Sequence, residues 1–149
     1  MTATNHVVTG ATGALIAATI TNPVICLPLA LLSHLVLDSI PHFGVDPEDL
    51  KVFLPVLLTD IALASCVLLA LVFTQPAGYI LMISGAIVAA SPDLLSIWFF
   101  VSVLKKRKHK YGAVQRFLQK IQWSETAKGL AIEVVWFGFI GALLLQKIH

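Results

Sequence analysis

The residues best suited to chemistry lie in one short run that holds two histidines and an aspartate. His34 and Asp38 are four residues apart, so on a helix their side chains lie about 40° apart and share one face. His42 follows just past Pro41, a residue that can turn it back inward. Imidazole nitrogens and carboxylate oxygens are ligands suited to Zn²⁺ or a similar cation. The spacing predicts a metal site; the simpler alternative is a pair of polar residues that hydrogen-bond within a helix bundle.

The rest of the chain must position these residues inside a very apolar molecule. Of 149 residues, 58% are hydrophobic and 12% are charged, and the mean hydropathy is +0.89. A soluble domain of this size has about a quarter of its residues charged. The composition therefore excludes a disordered protein, a nucleic-acid-binding domain and an ordinary soluble enzyme. It predicts one integral membrane domain over residues 1–149.

Turn-forming residues divide this apolar sequence into helices. Asn22-Pro23 separates the first two, residues 41–47 form a loop, and Thr74-Gln75-Pro76 is a tight turn. Ser91-Pro92-Asp93 is expected to break or kink the fourth helix. The predicted fold class is all-α, a polytopic transmembrane bundle of five membrane-inserted helices and one interfacial amphipathic helix. The predicted helices are about 6–20, 23–40, 48–73, 77–104 and 126–147, with the interfacial helix at about 111–123.

The basic residues predict how this bundle is oriented. With five spans, nine of the ten Lys and Arg residues fall on the side of the N-terminus, and only Lys147 falls on the other. By the positive-inside rule, we expect the N-terminus and the basic run 105–110 to be cytoplasmic. The basic run and the amphipathic segment after it are expected to contact anionic membrane lipids, not nucleic acid.

Three further ionisable residues, on other helices, are predicted to join the site, because such groups are costly inside a membrane. His6 begins the first helix. Asp60 is 14 residues before the turn at 74–76 and Asp93 is 17 after it, so at ~1.5 Å per residue their depths agree within about one helical turn. Carboxylates at one depth repel unless they share a proton or a cation. The predicted metal ligands are therefore His6, His34, Asp38, His42, Asp60 and Asp93, and the predicted catalytic residues are Asp60 and Asp93.

Small residues recur at four-residue spacing in two of the predicted helices. One stripe contains Gly10 and Ala14, and the other contains Gly85 and Ala89. Such stripes predict close helix packing, which also allows side chains on neighbouring helices to reach a shared ion. Glu133, near the start of the last helix, is open to three interpretations: a metal ligand, a general base or a partner of Lys128.

These motifs together carry a resemblance. The order His34-x3-Asp38-x2-Pro41-His42, with His6 ahead of it and Ser91-Pro92-Asp93 behind, resembles that of the membrane-bound metal-dependent hydrolases, the YdjM-like inner-membrane proteins. The local His-x3-Asp…Pro…His order is also similar to the zinc-dependent phospholipase C and P1 nuclease group. In that group such a helix supplies ligands to a zinc cluster that hydrolyses phosphoesters. The resemblance implies a divalent metal, Zn²⁺, hydrolytic chemistry and a location in the inner (plasma) membrane of a prokaryote.

Three functions are compatible with the pattern. The first is an enzyme that hydrolyses a phosphoester, such as a phospholipid or another lipid-linked phosphate, with metal-activated water. The second is a transporter or another ion-binding membrane protein whose acids relay a proton or a cation. The third is a structural subunit whose short helices are held together by a metal. The enzyme is the leading hypothesis, because the outer parts of the last three helices contain no charge before Lys147. A homo-oligomer is compatible with each of them.

Overall fold

The structure, a computed structural model, describes residues 1–20, 22–47, 49–94, 96–105, 112–121 and 126–148. In these residues the ordered elements are helices, and no strand occurs, so the predicted all-α class is confirmed there. The helices are α1 (Ala3–Ile20), α2 (Pro23–Ser39), α3 (Leu50–Thr74), α4 (Tyr79–Leu94), α5 (Ile97–Leu104), α6 (Ala113–Ile121) and α7 (Leu130–Ile148), with a 3₁₀ turn at Ala127–Gly129 before α7.

Helix α1 occupies the centre of the fold. It packs against α2, α3, α4 and α7. Its residues Val7, Val8 and Ala11 are buried together with residues of α3, α4 and α7, among them Leu71 and Met82. A helix with neighbours on all sides places its polar residues next to those of several other helices. The first turn of α1 is therefore where side chains from different helices can meet.

The closest packing in the core is between α1 and α4. A Cβ atom added to Gly10 would collide with the backbone of Gly85 and with the Cβ of Ala89. A Cβ atom added to Gly85 would collide with the Cβ of Ala14. The order of these contacts shows that the two helices are antiparallel. Small residues allow the two backbones to touch, so the close packing predicted from the stripes is confirmed.

The helix ends follow local chemistry. The side chain of Asn22 accepts a hydrogen bond from the Val24 amide at 3.0 Å, and Pro23 occupies the first turn of α2, where its missing N–H costs nothing. Asp49 caps α3 by accepting from the Lys51 amide at 3.2 Å. Gln75 ends α3 in the left-handed region at φ 43°. These three caps fix the lengths of the helices that carry the site.

The interruption expected at Ser91-Pro92-Asp93 falls slightly later in the chain. Pro92 lies inside α4, which ends at Leu94, and α5 begins at Ile97. Proline has no N–H to offer the carbonyl of Val88, and the hydroxyl of Ser91 donates to that carbonyl at 2.8 Å. This hydrogen bond satisfies the exposed acceptor, so the helix continues through Asp93. The amide of Ser96 then donates to the Asp93 carbonyl at 3.0 Å in the turn that follows.

Two segments of the described chain are long and apolar enough to cross a membrane, namely α3 and Tyr79–Ser102. Helices α2 and α7 are apolar but shorter. The count of five inserted helices therefore goes further than length and composition support. Large apolar side chains cover the outside of the protein: Phe73 is 81% exposed and Val135 is 73% exposed. A soluble protein rarely exposes so much apolar surface, whereas lipid tails solvate it without cost.

Helix α6 lies in the segment predicted to be the interfacial helix. It carries Arg116 and Lys120 among apolar residues, and its Val114 and Phe117 side chains are exposed. An exposed apolar stripe on a short basic helix is typical of helices that lie at a membrane surface. The basic run at 106–110 and residues 111 and 122–125, which belong to the same prediction, lie outside the described residues.

Candidate metal centre

Four ionisable side chains from three helices meet beside the first turn of α1. They are His6 from α1, His34 and Asp38 from α2, and Asp93 from α4. Each offers one nitrogen or oxygen atom, and these atoms all lie within 4.8 Å of one another. Two imidazoles and two carboxylates form a donor set that zinc and similar cations accept. The four residues could therefore hold a metal ion, and we call them the His/Asp cluster.

Asp38 contacts both histidines of the His/Asp cluster. Its Oδ1 atom lies 3.1 Å from His6 Nε2, and its Oδ2 atom lies 3.1 Å from His34 Nε2. The amino group of Met1 donates to the same Oδ1 at 2.6 Å. Asp93 is more loosely placed, with its Oδ1 atom 3.8 Å from His34 Nε2. Asp38 thus orients both imidazoles, while one carboxylate remains free to adjust.

The two imidazole rings are stacked. Their centroids are 3.9 Å apart and their planes differ by 26°. Two unit charges at about 4 Å repel by about 4 kcal/mol even at an effective dielectric constant of about 20, so two imidazolium ions would not stay in this arrangement. Neutral imidazole is the form that ligates metals. The stacked pair is therefore better suited to binding a cation than to carrying two protons.

The local sequence explains why the cluster assembles at this point. His6 is one turn before Gly10 in α1, and Asp93 is one turn after Ala89 in α4. Because α1 and α4 are antiparallel and touch at Gly10, His6 and Asp93 come to the same level on facing sides. Helix α2 packs against both helices and adds His34 and Asp38 from a single face. The small-residue contact therefore positions the two ligands that lie furthest apart in sequence.

Asp93 connects the cluster to a cavity of about 450 Å³. We call it the site cavity; its lining includes Asp60, Asp93, Ser96, Phe100, Gln115 and Leu118. The Asp93 side chain is 32% exposed, whereas those of His6, His34 and Asp38 are at most 2% exposed. The Oδ2 atom of Asp93 and the Nδ1 atom of His6 are buried without a hydrogen-bond partner. Buried polar atoms rarely lack partners, so a ligand that satisfies them fits this place.

The structure does not bring Asp60 into the His/Asp cluster. Its carboxylate accepts from the Ala3 amide at 2.8 Å, the Thr4 amide at 3.0 Å and the Thr4 hydroxyl at 2.6 Å. Ala3 begins α1, so Asp60 satisfies the free amides of that helix end and lies at the positive end of its dipole. The depth estimated from sequence places Asp60 beside the site cavity, but its partners are the α1 backbone.

Glu133 has a similar structural task. It accepts hydrogen bonds from the Thr2 amide at 3.1 Å, the Thr2 hydroxyl at 2.6 Å and the Asn5 side-chain amide at 2.9 Å. It also accepts from the Phe43 amide at 3.0 Å. The carboxylate therefore ties α7 to the start of α1 and to the loop after α2. The contacts that the structure gives for Glu133 are those of a structural acceptor.

His42 also lies outside the His/Asp cluster, although it is fully buried. Its Nδ1 atom is 2.7 Å from the Ile40 carbonyl, and its own carbonyl accepts from the Thr126 amide at 2.9 Å. Gly129 packs directly against the His42 backbone, where a Cβ atom would not fit. The backbone of His42 therefore packs against the 3₁₀ turn before α7, and its side chain is not one of the four that form the His/Asp cluster.

The polar first turn of α1 is part of the site that the sequence analysis leaves out. Thr2, Thr4 and Asn5 hold the two structural carboxylates and so fix the position of His6. The sequence does contain an indication of this role, because these three polar residues stand at the start of a largely apolar helix. No protein-family model matches the chain, and no curated protein or solved structure matches it either. The resemblance to the membrane-bound hydrolases therefore stays a prediction.

Proposed function

We propose that the protein is a membrane-embedded, metal-dependent hydrolase that cleaves a phosphoester at the His/Asp cluster. One observation carries the proposal: the cluster has an N₂O₂ donor set, and its least enclosed member, Asp93, faces a cavity large enough for a small ligand. A metal site that only holds helices together does not need a cavity beside it. A catalytic metal site keeps one position open to water and substrate.

In this proposal, some residues of the cluster bind the metal and another takes part in the reaction. His6, His34 and Asp38, which are buried, would hold the cation. When bound, a Zn²⁺ ion would make a water acidic enough to attack near neutral pH. Asp93 would supply one carboxylate oxygen to the ion, and because it also lines the site cavity, its carboxylate would be the group placed to accept a proton from a water there. In this arrangement Asp93 is the catalytic residue, and Asp60 acts by holding α1.

The substrate class follows from the setting of the cavity. The site adjoins apolar helices that suit a membrane, and α6 brings Arg116 and Lys120 near one end of the fold. Basic residues at a membrane surface attract anionic lipid headgroups. A lipid-linked phosphate is therefore the substrate that we propose, with the cluster on the cytoplasmic side. A charged path across the membrane, which a transporter needs, has no support in the far halves of the helices, whose sequence is uncharged up to Lys147.

Metal analysis and an activity assay on the same samples test the proposal. Detergent-purified protein is loaded with Zn²⁺, Mn²⁺ or Mg²⁺, analysed for bound metal, and assayed for phosphate release from a panel of lipid phosphates. We expect His34→Ala to lower the affinity for metal at least tenfold, because the remaining ligands cannot replace a coordinating imidazole. Phosphate release should fall with it.

Asp46→Asn is the matched control, since it neutralises an exposed carboxylate in the loop before α3. It should retain both the metal and the activity. If His34→Ala binds as much metal as the wild type, or if the metal-loaded wild type cleaves none of the lipid phosphates, the hydrolase proposal is wrong.

A further inference from the structure

A second cavity, of about 500 Å³, lies between α3 and α7. We call it the α3–α7 groove; its walls are mainly Val56, Thr59 and Leu63 from α3 and Leu130, Val134 and Phe137 from α7. On each helix these residues recur every three or four positions, so they form one continuous stripe. Leu63 is 51% exposed and Val134 is 62% exposed, so the groove opens sideways on the outer surface of the protein.

The inner end of the groove is polar and adjoins the site cavity. Thr2, Phe43, Val56 and Asp60 line both spaces. Asn5 also lines the groove, and its Oδ1 atom is buried without a hydrogen-bond partner. The two cavities are therefore continuous in character. The site cavity adjoins the His/Asp cluster, polar residues at the first turn of α1 lie between the two cavities, and the apolar α3–α7 groove opens on the outer surface.

We infer that the α3–α7 groove holds an acyl chain of a phosphate-bearing lipid whose headgroup lies in the site cavity. The inference rests on the proposed function, because that function places the phosphate at the His/Asp cluster. A membrane lipid has the same order of parts as the two cavities, with an anionic head, a polar glycerol region and an apolar tail.

The lateral opening suits this occupant. Helix α3 is long and apolar enough to cross a membrane, so its outer face meets lipid tails, and a chain can enter from the side without crossing water. A water-soluble phosphoester would use only the site cavity. The groove is therefore the part of the protein that would select a lipid over a soluble phosphate, and its walls would set the preferred chain.

Photocrosslinking tests the inference without requiring turnover. The full-length protein is placed in phosphatidylcholine nanodiscs with a small fraction of phosphatidic acid that carries a diazirine in one acyl chain. After illumination, labelled peptides are mapped by mass spectrometry. We expect labels to concentrate on 59–63 and 130–137, and to be at least fivefold weaker when diacylglycerol with the same chain replaces phosphatidic acid.

Two matched pairs of variants locate the chain. Val134→Trp fills the groove, whereas Val135→Trp places the same bulk on the neighbouring exposed position outside it. Leu63→Trp and Leu58→Trp form the corresponding pair on α3. Val134→Trp and Leu63→Trp should each reduce groove labelling at least fivefold, and the two controls should not. Bound metal, measured on each variant, shows that the fold is retained.

Several outcomes would overturn the inference. These are equal labelling in Val134→Trp and Val135→Trp, or labels spread evenly over all outward positions. The hydrolase proposal fails separately. If the groove is labelled as expected but the metal-loaded protein cleaves no phosphoester, the lipid-binding inference is supported and the hydrolase proposal is wrong. If long- and short-chain phosphates are cleaved equally well by Val134→Trp and by the wild type, the hydrolase proposal is supported and the inference that the groove holds the acyl chain is wrong.

Discussion

Asp38 receives three donors on one buried carboxylate, and this arrangement makes it the organising residue of the His/Asp cluster. The Met1 amino group and the two imidazoles all lie within 3.1 Å of its oxygens. A buried carboxylate is costly unless charges and hydrogen bonds compensate it. Asp38 has this compensation, whereas the Oδ2 atom of Asp93 has no hydrogen-bond partner. The two carboxylates are therefore expected to differ in role, one fixed and one reactive.

Asp60 and Asp93 provide a direct comparison between a carboxylate that binds the end of α1 and one that belongs to the His/Asp cluster. Asp93→Asn removes a ligand charge, so it should lower Zn²⁺ affinity at least tenfold while leaving the thermal unfolding midpoint of the metal-free protein nearly unchanged. Asp60→Asn removes one acceptor from the end of α1 and should cost about 1–2 kcal/mol of stability. Zinc titration and thermal unfolding of both variants in the same detergent measure the two effects.

The wild type and Asp46→Asn provide the reference values for both measurements. An Asp60→Asn variant that unfolds like the wild type but loses its metal would show that Asp60 is a ligand. It would also contradict the assignment of this carboxylate to the end of α1.

The sequence predicted which residues of the site lie at the same depth, but not the direction in which each side chain points. Spacing along one helix places His34 with Asp38, and depth from a shared turn places Asp60 and Asp93 at one level. Depth does not fix the direction in which a side chain points around its helix. Asp60 points toward the backbone of α1, and amide groups at a helix end leave no mark in the residue pattern. His42 is similar, because its direction depends on the 3₁₀ turn that packs against it.

At the scale of elements, the contact between α1 and α4 determines whether His6 and Asp93 can meet. The helices touch where Gly10 meets Gly85 and Ala89, and His6 and Asp93 lie one turn beyond Gly10 and Ala89 respectively. The four-residue recurrence of small residues predicted close packing for these helices, but it did not predict which helices would pair. The position of the break between α4 and α5 was harder to predict, since the effect of a proline depends partly on whether another donor satisfies the carbonyl that loses its N–H partner. Here Ser91 satisfies it.

Gly10 and Gly13 separate the packing effect from the intrinsic preference of the helix. Both lie in α1, but a Cβ atom on Gly10 would meet the α4 backbone, whereas one on Gly13 would meet nothing within 4 Å. We expect Gly10→Ala to destabilise the protein by about 1–3 kcal/mol through overpacking and to weaken zinc binding. Gly13→Ala should be neutral or stabilising by up to about 1 kcal/mol. Thermal unfolding and zinc titration measure both variants, and equal behaviour would rule out a close α1–α4 contact.

The whole molecule exposes many large apolar side chains and buries several polar ones. Exposed leucine, valine and phenylalanine side chains cover the outer faces of α3 and α7, whereas Thr4, Asn5 and Thr12 are buried. The composition predicts a membrane protein, because few charged residues remain to cover a soluble surface, and two segments of the described chain are long and apolar enough to cross a membrane. The number of helices that cross is less accessible to sequence, since α2 and α7 are apolar but short. How far a short helix enters the membrane depends on its neighbours.

The orientation of α3 is the prediction on which the cytoplasmic placement of the site depends. Lys51 and Thr74 lie at opposite ends of α3, and both are exposed. In a background in which Cys26 and Cys66 are replaced by alanine, Lys51→Cys and Thr74→Cys each carry one thiol. The nine-to-one distribution of Lys and Arg puts the Lys51 end in the cytoplasm. A membrane-impermeant maleimide should therefore label Thr74→Cys in intact cells and Lys51→Cys only after permeabilisation. The reverse pattern would place the His/Asp cluster on the outer side, and labelling of both thiols in intact cells would mean that α3 does not cross the membrane.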